Sequence, residues 1–212
     1  MEKGTRATQA FALYCFLVAT YLSVGGLLQY RFGLLGISIN EIFLLAMPGI
    51  VYAQLTGLSL KKTFPIRQPT FKEFLLVLVM TAVVIVPIAL LVEYQNQFWP
   101  LPPTVQTFYD QLMKHEGILD AVLKFIVLAL IPAVCEELFF RGLLQGMMVS
   151  SFGVTRGLLL TALFFAVAHV NPWYFIYYFF LGTYLGLLRN WRNNLALCIL
   201  AHLANNLYSL YS

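Results

Sequence analysis

Apolar residues in this chain do not alternate with polar ones. They come in long runs, interrupted by short clusters of charge and proline. Residues 7–30 carry no charge and exceed the roughly 20 apolar residues needed to cross a bilayer core. They follow Lys3 and Arg6, as a signal peptide would. The run is long for a signal, however, and no small-x-small cleavage site follows it, so it reads as a retained first helix. Residues 42–60 form a second span, weakened by Pro48, Gly49 and Gly57. A basic loop from Lys61 to Lys72 follows, and residues 74–92, rich in Val, Leu and Ile, form a third. Residues 121–149, 154–169, 173–188 and 195–211 supply four more. The pattern predicts an all-α polytopic bundle of about seven spans. The pairs Gly142/Gly146 and Gly182/Gly186 predict close helix packing by the fourth and sixth.

Residues 94–120 break the pattern. Pro100, Pro102 and Pro103 exclude a continuous helix. Val105, Phe108, Tyr109, Leu112 and Met113 recur at helical spacing against Gln106, Asp110, Gln111 and Lys114. This predicts a short amphipathic helix on the membrane surface, with His115 exposed beside it.

Composition agrees. Of 212 residues 60% are hydrophobic and 10% charged, against the roughly 25% charged of an ordinary soluble domain. Mean hydropathy is +0.80. The net charge of +4 therefore reports topology and lipid contact rather than a nucleic-acid partner. With the N-terminus in the cytoplasm, inner segments hold Lys3, Arg6, Lys61, Lys62, Arg67, Lys72, Arg156, Arg189 and Arg192. Outer segments hold only Arg31, Lys114 and Lys124, which supports N-in and C-out. No internal repeat divides the chain. Residues 1–119 (N-terminal spans and interfacial loop) and 120–212 (core bundle) read as one integrated membrane domain. Cys15, Cys135 and Cys198 lie in apolar runs without paired or metal-like spacing and read as small buried hydrophobes. Cys135 abuts Glu136, but nothing beside it would activate a thiol nucleophile.

Ionisable groups within spans are costly and mark function. Glu136, Glu137 and Arg141 interrupt the fourth span, His169 ends the fifth, and His202 with Asn205 and Asn206 lies in the seventh. Glu137 and Arg141, four apart, can pair on one helix face, while Glu136 points about 100° away. Pro132 removes a backbone hydrogen bond one turn earlier. At about 1.5 Å per residue, Glu136 and His169 each lie roughly 21 Å from the inner face and His202 roughly 12–15 Å, a difference that tilt absorbs. Three polar places can thus form one site. His202 shares a face with Asn206 at four residues, with Asn205 a near substitute.

Three motifs in this order, Glu-Glu-x-x-x-Arg (136–141), Phe-x-x-x-His (165–169) and His-x-x-x-Asn (202–206), resemble those of the CPBP intramembrane peptidases. That group includes CAAX prenyl endopeptidases of the Rce1 type and bacterial bacteriocin-processing or immunity proteins. The resemblance covers roughly residues 120–210. It implies Glu136 and His169 as the water-activating pair, His202 and Asn206 as oxyanion or ligand groups, and Glu137 and Arg141 as support. It also implies a membrane-anchored protein or peptide as substrate and a prokaryotic cell membrane as location.

Peptide hydrolysis needs an activated water, a stabilised oxyanion and a proton for the leaving amine. A glutamate without an ion-pair partner can move that proton, and imidazole and amide groups can stabilise the oxyanion. The same Glu136, His169 and His202 could instead hold a divalent metal such as zinc, although the helical H-E-x-x-H spacing is absent. Two other classes use the same residues. One is a proton-coupled transporter, against which the missing inverted repeat counts. The other is a non-catalytic immunity or peptide-binding protein on the same scaffold.

Overall fold

The computed structural model describes residues 3–114 and 116–211, with the backbone alone over 3–6. His115, Ser212 and the side chains of Lys3 and Arg6, on which part of the topology expectation rests, lie outside the described residues. Nine helices and no strand make up the described chain. They are α1 (residues 3–32), α2 (Leu34–Leu55), α3 (Leu60–Thr63), α4 (Phe71–Asn96), α5 (Pro103–Met113), α6 (Ile118–Phe152), α7 (Val154–Ala168), α8 (Phe175–Arg192) and α9 (Leu195–Tyr211). Four of them, α1, α2, α4 and α6, are long and apolar enough to cross a membrane on their own. α7, α8 and α9 have 15, 18 and 17 residues. Large apolar side chains lie exposed on the outside of the bundle, among them Phe16, Leu27, Val79 and Leu187. The protein is an integral membrane protein of the all-α class.

Local sequence explains most of the boundaries. α4 begins at Phe71 because Thr70 and Glu73 form a capping box: Glu73 N–H donates to Thr70 Oγ1 at 3.3 Å and Thr70 N–H to Glu73 Oε2 at 3.0 Å. Gly33 separates α1 from α2 at φ +53°, a conformation that favours glycine. α2 starts at Leu34, eight residues before the expected start at Ile42. The expected span started just after Glu41, whereas the apolar stretch before it carries the helix through the charge. α1 and α2 then form a tight antiparallel hairpin, in which Asn40 Nδ2 donates to the Gly25 carbonyl at 3.0 Å. Wide π-type turns over Asn40–Ala46 and Phe125–Leu130 stand just before Pro48 and Pro132. A proline ring clashes with the carbonyl four residues back, and a widened turn relieves that clash.

Hydrogen bonds between loops sort the two ends of the bundle. At one end the chain before α4 meets the turn between α8 and α9. Leu195 N–H donates to the Pro65 carbonyl at 2.8 Å, Arg67 N–H to Asn194 Oδ1 at 2.9 Å, and the Arg67 guanidinium to the Arg192 carbonyl at 2.7 Å. At the other end Gln95 donates to the Trp173 carbonyl at 2.8 Å, and Asn171 to the Tyr109 hydroxyl at 2.7 Å. The amphipathic α5 thus lies over the turn between α7 and α8.

The glycine pairs divide. Cβ atoms at Gly182 and Gly186 would stand 3.2 Å from Ala162 Cα and 3.0 Å from Leu158 Cγ, so α8 does pack closely, against α7. Gly142 faces the Phe64 ring of a loop, 2.6 Å from such a Cβ, and Gly146 has nothing within 4 Å. Those two make no helix-to-helix seam, because their face of α6 meets a loop and open space instead. A close approach of α7 to α6 falls instead at Gly157, where a Cβ would lie 2.5 Å from the backbone nitrogen of Val149.

Two outcomes follow. Gly157→Ala should lower the melting temperature in detergent, a loss of roughly 1–3 kcal/mol. Gly146→Ala should raise it slightly, since alanine in an open helix position gains about 0.5–1 kcal/mol. Thermal melts that rank the two variants the other way would contradict the packing. Topology reporters placed after Lys62 and after Arg192 should read the same side of the membrane, and one after Met113 the opposite side.

Candidate active site

α6 brings the acidic motif to the middle of the bundle. Glu137 is fully buried and its Oε1 receives two donors: Arg141 Nη1 at 2.7 Å and His202 Nδ1 at 2.9 Å. The i,i+4 pairing read from sequence is therefore present, with His202 added as a third member. Arg141 Nη2 also donates to the Gly182 carbonyl at 3.3 Å, and its guanidinium lies 4.2 Å from the centre of the Phe165 ring. The glycine at 182 lets α8 come close enough for that bond.

Glu136 points elsewhere. Its Oε2 has no hydrogen-bond partner and stands 3.9 Å from His169 Nε2. His169 follows the last residue of α7, and its Nδ1 bonds the Phe165 carbonyl at 2.7 Å. A carbonyl only accepts, so Nδ1 carries the proton and Nε2 presents its lone pair toward Glu136. Tyr178 stacks on the imidazole, with ring centres 3.7 Å apart. Phe165 explains its own place in the motif. Its carbonyl fixes the His169 tautomer, and its fully buried ring lies against Arg141, His169 and His202.

The seventh span supplies both asparagines. Asn205 is buried, accepts from the Tyr177 hydroxyl at 2.6 Å and donates to Asn206 Oδ1 at 3.2 Å. Asn206 Nδ2 donates to the Ala129 carbonyl at 3.2 Å, in the wide turn before Pro132. Asn206 thus keeps a second amide hydrogen for a ligand, while Asn205 orients it.

Two cavities meet at Glu136 and His169. The wider, about 600 Å³, opens toward α5 and is also lined by His202, Asn205 and Asn206. The narrower, about 270 Å³, runs between α1, α2 and α6 past Leu17, Leu45 and Phe139. Glu41 of α2 lines both. Sequence reasoning missed it, together with Tyr21, whose hydroxyl donates to Glu41 Oε1 at 2.9 Å. The available signal was that residues 34–55 contain one charge and no proline before Pro48, so the helix can include Glu41.

The metal expectation needed Glu136, His169 and His202 around one point. The structure pairs Glu136 with His169 and ties His202 to Glu137. Among the described residues, no three His, Cys, Asp or Glu side chains are grouped so as to hold an ion. The donor set as arranged does not fit a three-ligand metal site. Cys135 and Cys198 are buried and Cys15 is exposed.

No curated protein and no solved structure matches the chain. A family model does match, over residues 118–208, and its description is type II CAAX prenyl endopeptidase Rce1-like. The matched stretch begins at the first residue of α6 and holds Glu136, Glu137, Arg141, His169, His202 and Asn206. Through this stretch, which builds nearly all of the site, the chain is similar to the Rce1-like type II CAAX prenyl endopeptidases.

Proposed function

We propose that the protein is an intramembrane endopeptidase that hydrolyses a peptide bond of a membrane-associated protein or peptide. In this reading Glu136 and His169 activate the attacking water. The observation that carries it is the approach of an unpartnered Glu136 oxygen to His169 Nε2 at the meeting point of two cavities.

The residues divide the work by what they touch. Glu137 already holds the guanidinium and one imidazole, so Glu136 is left without a cation and can act as a base. A water between Glu136 and His169 gives a proton to the Glu136 carboxylate, while the His169 lone pair accepts its other hydrogen. The water oxygen bonds the carbonyl carbon, and the electron pair moves to the carbonyl oxygen. The free amide hydrogen of Asn206 stabilises that oxyanion. His202 Nδ1 faces Glu137, so its Nε2 can donate to the oxyanion only when the ring carries both protons. The C–N bond then breaks as Glu136 returns the proton to the leaving nitrogen. No step needs a metal. The substrate arrives through the wider cavity, whose rim includes the surface helix α5.

Glu136→Gln keeps the shape and removes the base. It should lower kcat by about 10²–10⁴-fold and leave the melting temperature unchanged. A purified Glu136→Gln protein that retains substantial proteolysis would remove Glu136 from this role. Arg141→Ala should behave in the opposite way. It strands a buried carboxylate, a loss of roughly 3–5 kcal/mol, so thermal melts should show strong destabilisation. A melt equal to wild type would mean that the pair is not structural. Protein purified without a histidine tag should stay fully active after chelation, with less than a tenth of an equivalent of any transition metal. Loss of activity on chelation, restored by adding zinc back, would instead install the metal reading.

A further inference from the structure

Glu41 takes no part in the hydrolysis argued above, and the hairpin it sits in does not need a carboxylate. The contact between α1 and α2 is already fixed by the Asn40–Gly25 bond and by Gly36, where a Cβ would stand 2.3 Å from the Leu28 carbonyl oxygen. Tyr21 requires only an acceptor, which a neutral amide would supply. Yet Glu41 is 4% exposed and its Oε2 is buried without a partner. Arg141, the guanidinium of the site, is bound to Glu137, and among the described residues no lysine or arginine lines either cavity. An ionisable side chain held this way inside a membrane bundle points to a ligand.

The surroundings say which ligand. Glu41 lines both cavities beside Glu136 and His169, so a chain lying at the reacting bond passes next to it. Toward the mouth the wider cavity continues with Glu93 and Asp110, also carboxylates. The chain as a whole carries +4, so this concentration of one sign runs against the overall balance. A cleft lined by one sign of charge with apolar walls draws in the opposite charge. A guanidinium or ammonium would meet the mouth carboxylates first and end on Glu41 with a charge-assisted hydrogen bond.

We propose that the cavity selects a cationic peptide, with the Glu41 carboxylate receiving a lysine or arginine side chain next to the bond that is cut. The cutting rests on the peptidase reading above; the binding does not. Glu41 in this account is a specificity-determining residue, and Tyr21 holds its carboxyl in place.

The test uses rhodamine-labelled peptides of one alanine-leucine scaffold with a central Lys-Lys, Gln-Gln or Glu-Glu pair. They are titrated by fluorescence polarisation against Glu136→Gln protein in phosphatidylcholine nanodiscs. The Lys peptide should bind at least about tenfold tighter than the Gln peptide, and the Glu peptide weakest. Glu41→Gln should bring Lys and Gln peptides to within about twofold, and Glu93→Gln should do less. A structural role for Glu41 would leave the preference intact, because the amide still accepts from Tyr21. A second measurement leaves Glu41 in place: carbodiimide coupling of the bound Lys peptide, mapped by mass spectrometry, should join its amine to Glu41. Equal binding of the three peptides, no saturable binding, a preference unchanged by Glu41→Gln, or coupling confined to other carboxylates would each overturn the proposal. Cleavage is scored separately on the unmutated protein. A Lys peptide that binds through Glu41 but is never cut defeats the peptidase reading alone, and a peptide cut without regard to charge defeats this inference alone.

Discussion

A guanidinium and a carboxylate, both almost completely inaccessible, meet in the middle of a membrane bundle, and the rest of the site depends on that meeting. Arg141 and Glu137 are 1% and 0% exposed, too deep for water to compensate either charge. Such a pair survives burial only with good geometry and further hydrogen bonds. Here two other helices supply hydrogen bonds and a third an aromatic face. α9 brings His202 to the carboxylate, α8 offers the Gly182 carbonyl to the guanidinium, and α7 lays the Phe165 ring against it. One ion pair thereby fixes the relative positions of four helices. It also consumes the cation that Glu136 would otherwise take, which leaves that carboxyl facing His169.

This division explains why adjacent glutamates differ. The helical turn of about 100° per residue separates them. Glu137 falls on the interior seam and becomes part of the frame, while Glu136 falls on the cavity wall and remains unpartnered. The imidazoles divide in the same manner. His202 Nδ1 is bound into the frame, and His169 is turned by a backbone carbonyl so that its lone pair faces the cavity. The groups that face the cavity are thus oriented by buried bonds behind them.

Much of this was legible in the sequence because charge stands out in apolar runs. Glu136, Glu137, Arg141, His169 and His202 were identified that way, and counting residues from the turns gave Glu136 and His169 equal depth, which their 3.9 Å approach matches. The i,i+4 rule correctly paired Glu137 with Arg141 and left Glu136 aside. What one helix cannot reveal is a partner from another. That His202 joins Glu137 depends on the packing of α9 against α6, and that Asn205 orients Asn206 depends on the Tyr177 hydroxyl. Glu41 was lost for a different reason. A charge at the edge of an apolar run looks like a boundary, and here it lies within α2. Gly142 and Gly146 misled because a spacing of small residues shows that close approach is allowed, not that a neighbour is there.

The central claim is that water reaches Glu136 and not Glu137, inside the thickness of the bilayer. Cysteine accessibility measures this directly. In a background with Cys15, Cys135 and Cys198 replaced by alanine, Glu136→Cys, His169→Cys and Glu137→Cys proteins in nanodiscs are treated with a charged, membrane-impermeant thiol reagent. The account predicts labelling at positions 136 and 169 and protection at position 137 in folded protein. Protection at 136 equal to that at 137 would mean that no wet cavity meets the glutamate, and the hydrolytic site described here would not exist.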